Sequence, residues 1–85
     1  MPIKVLVIDD EKAISDVLGK ALKKYGYRVE TASSGKEGLK KFDAELHDFV
    51  ITDILMSDVD GMAVLQHIRH SKKPSTPVIG MSGTQ

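Results

Sequence analysis

The sequence predicts an α/β fold, a doubly wound parallel sheet built in the order βαβαβαβ. Short apolar runs, among them Val5-Leu6-Val7-Ile8 and Phe49-Val50-Ile51-Thr52, alternate with longer segments whose apolar residues recur at helical spacing. Strands that alternate with helices give a parallel sheet with right-handed crossovers. The two runs are also continuous in their apolar character, as a strand buried on both faces requires.

Each element can be justified in turn. Ile3 to Ile8 reads as a central strand and ends abruptly in Asp9-Asp10-Glu11. Ala13, Ile14, Val17, Leu18, Ala21, Leu22 and Tyr25 then form the apolar stripe of a first helix. Asp10 or its neighbour is expected to cap that helix, acids in its first turn suit the helix dipole, and Gly26 supplies a left-handed stop. Gly19, inside the helix, is unfavourable by about 1 kcal/mol against alanine and points to close packing. Tyr27 to Ala32 alternates Arg28 and Glu30 with Val29 and Thr31, as an edge strand can. Ser33-Ser34-Gly35 is a turn and cap, and Leu39, Phe42 and Leu46 are the apolar face of a short second helix. Asp48 opens a third strand, Phe49 to Thr52, which delivers Asp53. Met62, Leu65 and Ile68, with Val64 beside them, mark a third helix that runs out at Ser71-Lys72-Lys73-Pro74. Pro77 to Met81 is a fourth strand, followed by Ser82.

The chain has 85 residues, the scale of one small domain spanning residues 1–85. Twelve basic and twelve acidic residues leave no basic excess, so neither nucleic acid nor an anionic membrane is expected as a partner. With no cysteine, disulfides and thiolate metal sites are excluded. The opening residues have neither the apolar core nor the cleavage site of a signal peptide, and no run approaches the roughly 20 apolar residues of a membrane span. A cytoplasmic protein is the expectation.

In a parallel sheet the carboxyl ends of all strands share one edge, where open α/β sheets place their sites. Asp9 and Asp10 follow the first strand, Asp53 the third and Ser82 the fourth. An acid after a strand is often only a turn former or helix cap. The joint pattern is different. Carboxylates that converge repel one another unless a cation intervenes, and a hard divalent ion such as Mg²⁺ is the natural one.

With these residues in view the chain resembles a response-regulator receiver domain of two-component signalling. The matching residues are Val5-Leu6-Val7-Ile8-Asp9-Asp10, Val50-Ile51-Thr52-Asp53-Ile54-Leu55-Met56, Asp60-Gly61 and Pro77-Val78-Ile79-Gly80-Met81-Ser82-Gly83. The resemblance implies a flavodoxin-like fold with strand order 2-1-3-4-5. It implies that Asp53 accepts a phosphoryl group from a sensor histidine kinase or phosphotransfer protein. Asp10, Asp53 and the backbone carbonyl of Leu55 would be the Mg²⁺ ligands, with Asp9 acting through a metal-bound water. Ser82 would be the switch hydroxyl. Such a module is a phosphoacceptor and not an enzyme.

The chain departs from the family pattern at several places. The last helix-strand-helix of a receiver is missing, and with it the active-site lysine, so the sequence reads as an incomplete, N-terminal part of one. Lys72 and Lys73 precede the fourth strand and fall at the wrong edge; Lys12 and Lys36 are at the right edge without a supporting motif. An uncovered fourth strand with Val78, Ile79 and Met81 invites self-association. Ser57 stands where the family often has proline. Two other functions compete: a receiver-like scaffold that binds partners without phosphorylation, and a Mg²⁺-dependent phosphotransferase. His67 and His70 sit at i, i+3, but with no acid beside them they read as a solvated helix face and not a metal site.

Overall fold

The computed structural model describes residues 2–81. Its elements are β1 (Lys4–Ile8), α1 (Lys12–Lys24), β2 (Arg28–Ala32), α2 (Gly35–Ala44), β3 (Phe49–Asp53), α3 (Gly61–Arg69) and β4 (Val78–Met81). The strands form one parallel sheet in the order β2-β1-β3-β4. β1 and β3 are therefore the inner strands among the described residues, and they are the two with continuous apolar runs.

Alternate residues of those runs build two cores. Leu6, Ile8 and Val50 face α2 and α3 and pack with Ala32, Phe42, Val64 and Ile68. Val5, Val7 and Ile51 point to the other face, where Leu18 and Leu22 of α1 cover them together with Tyr27, Val29 and Phe49. All four β1 residues from Val5 to Ile8 are completely buried, so the chain holds helices on both faces of its sheet, the flavodoxin-like arrangement.

Helix ends follow local chemistry. Ser34 caps α2 by accepting the Glu37 N–H at 3.1 Å, and the Glu37 carboxylate returns to the Ser33 N–H at 2.7 Å, a reciprocal arrangement close to a capping box. That bond to the Ser33 N–H, with Lys41 beside it, holds the Glu37 carboxyl below its ordinary value. Asp60 caps α3 through the Ala63 N–H at 2.8 Å. Gly26, at φ 93°, takes the left-handed conformation that ends α1.

Three expectations change. No side chain caps α1: the residue before it is Glu11, whose own N–H is bound by Asp9 at 2.9 Å, and no acid lies in its first turn. The face of α1 that meets the sheet is Ser15, Leu18, Gly19 and Leu22, whereas Ile14, Val17 and Tyr25 are exposed. The apolar stripe is broader than the contact, which includes the small residues Ser15 and Gly19; the close approach expected at Gly19 is not found, since a Cβ there would meet Val29 at an ordinary 3.6 Å. Leu46 falls beyond the end of α2 and Met62 faces outward, both exposed, because α3 packs through Val64 and Ile68.

Candidate functional site

The register between β1 and β3 sets Ile8 beside Thr52, so the next residues, Asp9 and Asp53, leave the sheet at one level. Asp9 stays in line because its N–H continues the ladder to the Ala32 carbonyl at 3.1 Å. Asp53 is paired with Met81 of β4, and the Ile54 N–H bonds the Met81 carbonyl at 3.0 Å. Asp10 follows Asp9 into the β1–α1 turn. The outcome is that one carboxylate oxygen from each of Asp9, Asp10 and Asp53 lies within 4.8 Å of the others. Asp9 and Asp53 are buried, and Asp10 is exposed.

Such a cluster is electrostatically unfavourable by itself. Burial pushes the Asp9 carboxyl above its ordinary 3.8; the Glu11 N–H pulls it down, and the charges of Asp53 and Asp10 push it up again. Among the described residues no ion pair reaches any of the three. The nearby Lys12 instead binds Asp16 on its own helix at 3.2 Å. The donor set consists of hard carboxylate oxygens, which fits Mg²⁺ and does not suit a soft metal.

The loop that follows Asp53 is drawn tightly under the site. Its first residues are held by the Gly61 N–H on the Ile54 carbonyl at 2.8 Å and by the Leu55 N–H on Asp53 Oδ1 at 3.4 Å. A Cβ at position 61 would lie 2.9 Å from the Asp53 carbonyl oxygen and 2.8 Å from Ile54 Cα, so glycine is needed for this close approach. The expected switch residue, Ser82, lies outside the described residues.

Other charged groups gather elsewhere. Lys73 sits at the amino edge of the sheet, where its ammonium bonds the Phe42 and Glu45 carbonyls and lies 4.3 Å from the Phe42 ring centroid. His67 and His70 do not converge: His67 bonds Asp43 of α2 at 2.9 Å, and His70 bonds the Gln66 carbonyl at 2.8 Å. Sequence reading placed no acid beside them, because Asp43 is 24 positions away from His67. It also missed a group at the amino edge, where Glu30, Glu45 and His47 come together. There His47 bonds Glu30 at 2.8 Å and Lys4 pairs with Glu45. Burial lowers the His47 imidazole from its ordinary 6.5, against the pull of Glu30, which favours its neutral form. A groove of about 1110 Å³ between α2 and α3, lined by Leu39, Asp43, Val59, Ala63, His67 and Lys73 among others, includes none of the three clustered acids.

Parallel strands, helices on both faces and three acids at the carboxyl edge define a doubly wound α/β module with an anionic pocket. The family model that matches, over residues 5–85, is the response regulator receiver domain. The chain belongs to that family. It is 41% identical over 70 residues to the transcriptional regulatory protein TrcR of Mycobacterium tuberculosis, covering 82% of this chain and 27% of that protein. It is 41% identical over 69 residues to the alkaline phosphatase synthesis transcriptional regulatory protein PhoP of Bacillus subtilis, covering 81% of this chain and 29% of that one. The chain thus spans under a third of the length of these relatives. Among solved structures, a receiver domain protein from Clostridium thermocellum superposes with a TM-score of 0.89 at 40% identity, covering 95% of this chain and 65% of that one. The response regulator TrrA of Thermotoga maritima, solved in complex with Mg²⁺-BeF, gives 0.90 at 37% identity over 98% and 71% of the two chains.

Proposed function

We propose that this chain is a receiver domain that takes a phosphoryl group onto Asp53, in the cytoplasm, from a histidine kinase or phosphotransfer protein. The observation that carries the reading is the convergence of the Asp9, Asp10 and Asp53 oxygens within 4.8 Å at the carboxyl edge. Asp10, Asp53 and the Leu55 carbonyl would hold Mg²⁺, with Asp9 acting through a bound water. The ion would supply charge neutralisation for an incoming phosphoryl group.

The chain's own residues do the rest. Asp53, fixed by its strand and by the Leu55 N–H, presents a carboxylate oxygen to phosphorus. The oxygen–phosphorus bond forms as the phosphorus–nitrogen bond of the donor phosphohistidine breaks, and the imidazole leaves with the electron pair. The product is an acyl phosphate with about one further negative charge and new acceptor oxygens. Ser82, in the switch role, would hydrogen-bond one of them and convert a local charge change into an altered surface.

Incubation with Mg²⁺ and a small phosphodonor tests this reading. Labelling that saturates at one phosphoryl per chain, absent in Asp53→Asn, supports it. Continuous phosphate release by a variant lacking Asp53 favours a phosphotransferase, and partner binding without any labelling favours a scaffold. Self-association would run through the outer strand β4, where Ile79 is 50% exposed. Sedimentation showing a monomer at all concentrations contradicts that part.

A further inference from the structure

We propose that Asp58 is a positioning residue: its carboxylate clamps the β3–α3 loop onto the amino end of α2 and thereby fixes the segment that carries Leu55. This rests on the phosphoacceptor reading of the acidic pocket. The loop joins Asp53 to Gly61. The clamp is two-pronged. The Gly35 N–H donates to Asp58 Oδ1 at 3.1 Å and the Lys36 N–H to Oδ2 at 2.9 Å. Among the described residues, the hydrogen bonds from this loop to α2 all run through Asp58.

Two observations separate a loop clamp from a simple helix cap. First, α2 already has its cap in Ser34, which binds the Glu37 N–H. Asp58 takes the N–H groups that remain at the first two helical positions, where a carboxylate also suits the helix dipole. Its added effect is therefore on the loop. Second, the loop backbone is pressed against the same spot. A Cβ at Gly35 would lie 2.5 Å from the Val59 carbonyl oxygen and 2.6 Å from Val59 Cβ, while the Val59 side chain packs on the core beneath α2 and α3. Position 57 is serine, which does not fix φ as proline does. The restraint on the middle of the loop then comes from the core packing of Met56 and Val59 and, for hydrogen bonds to α2, from Asp58.

The test is Mg²⁺ affinity, measured by titration calorimetry on the full chain and on Asp58→Ala, Asp58→Asn and Ser57→Pro/Asp58→Ala. Losing a group bonded directly to a metal ligand weakens a site about tenfold or more; Asp58 acts one step further out, through the loop, so Asp58→Ala is expected to raise the Mg²⁺ dissociation constant by less, about threefold. Asn, which keeps one acceptor oxygen, should lose less. Proline at 57 stiffens the loop without restoring any bond to α2, so it should recover part of the affinity. A cap alone predicts the reverse: Asp58→Ala melts lower, binds Mg²⁺ like the wild type, and overturns the proposal. If Asp58→Ala fails to fold, Gly35→Ala displaces the same loop with every charge kept, and unchanged Mg²⁺ affinity in that variant overturns it equally. Failure of the wild type itself to bind Mg²⁺ overturns the underlying reading; binding by the wild type that is indifferent to Asp58 and Gly35 overturns only the clamp.

Discussion

Replacing Asp9 by asparagine should stabilise the metal-free protein. Asp9 is 2% exposed and Asp53 8%, so both carboxylates are largely out of water. At the 4.8 Å limit between their oxygens, two unit charges repel by about 3.5 kcal/mol at an effective dielectric near 20. Asparagine removes that repulsion and the desolvation of a charge, and its amide oxygen can still accept the Glu11 N–H. The lost charge assistance in that bond offsets part of the gain, which leaves a net stabilisation of about 1–2 kcal/mol. For a chain this short that is a rise of about 4–16 °C in melting temperature. The pH dependence has a definite sign. The folded carboxyl titrates above the ordinary 3.8, so the folded state keeps its proton to higher pH than the unfolded state. Stability from this group is present at low pH and is lost as pH rises through the folded value. The advantage of asparagine is therefore full at neutral pH and disappears toward pH 3.8. Thermal melts in a chelator, repeated from neutral pH down to about pH 4, read both quantities. A variant that melts at or below the wild type at neutral pH would refute the reasoning, as would an advantage that does not shrink on acidification.

Further expectations follow from packing and titration. A Cβ at Gly38 would lie 2.4 Å from Ile8 Cδ1 and 2.7 Å from its Cγ1, and Ile8 is wholly buried; Gly38→Ala should destabilise by about 1–3 kcal/mol in a urea melt, and Ile8→Val in the same chain should reduce the loss. Gly19 lies against β2, yet its Cβ would meet Val29 at an ordinary 3.6 Å; Gly19→Ala should raise stability by about 0.5–1 kcal/mol, and a loss would contradict the contact described. Burial holds His47 below its ordinary 6.5, so the unfolded state takes up the proton first and stability falls as pH drops below about 6.5; His47→Gln should flatten that part of the pH–stability profile measured by denaturant titration.

Much of the fold was legible because buried strands announce themselves. Val5 to Ile8 and Phe49 to Thr52 read as inner strands, which puts the acid that ends each one at the carboxyl edge. The order β2-β1-β3-β4 meets the condition on which convergence depended, that strands one and three be neighbours, and Asp9, Asp10 and Asp53 come together. Helix faces were read less well. Periodicity shows that α1 has an apolar side but not which part of it the sheet covers, so Ile14, Val17 and Tyr25 were counted with the core and are exposed. Ser15 and Gly19, which do pack, carry no hydrophobic signal. Contacts between distant positions were invisible for another reason. Asp58 and Gly35 are 23 residues apart, and His47 and Glu30 are 17 apart; only the packing of α2 against the sheet and the loop brings them within bonding distance. Asp58 sat in a stretch rich in turn formers and gave no other sign.

The reaction proposed for Asp53 is acceptance of a phosphoryl group in a metal-dependent pocket. It is tested most directly by mapping the label after reaction with a small phosphodonor. One acid-stable, base-labile acyl phosphate per chain is expected, located at Asp53, formed only with Mg²⁺ and strongly reduced in Asp10→Asn. Label at another residue, or labelling at Asp53 that is indifferent to both Mg²⁺ and Asp10, would contradict it.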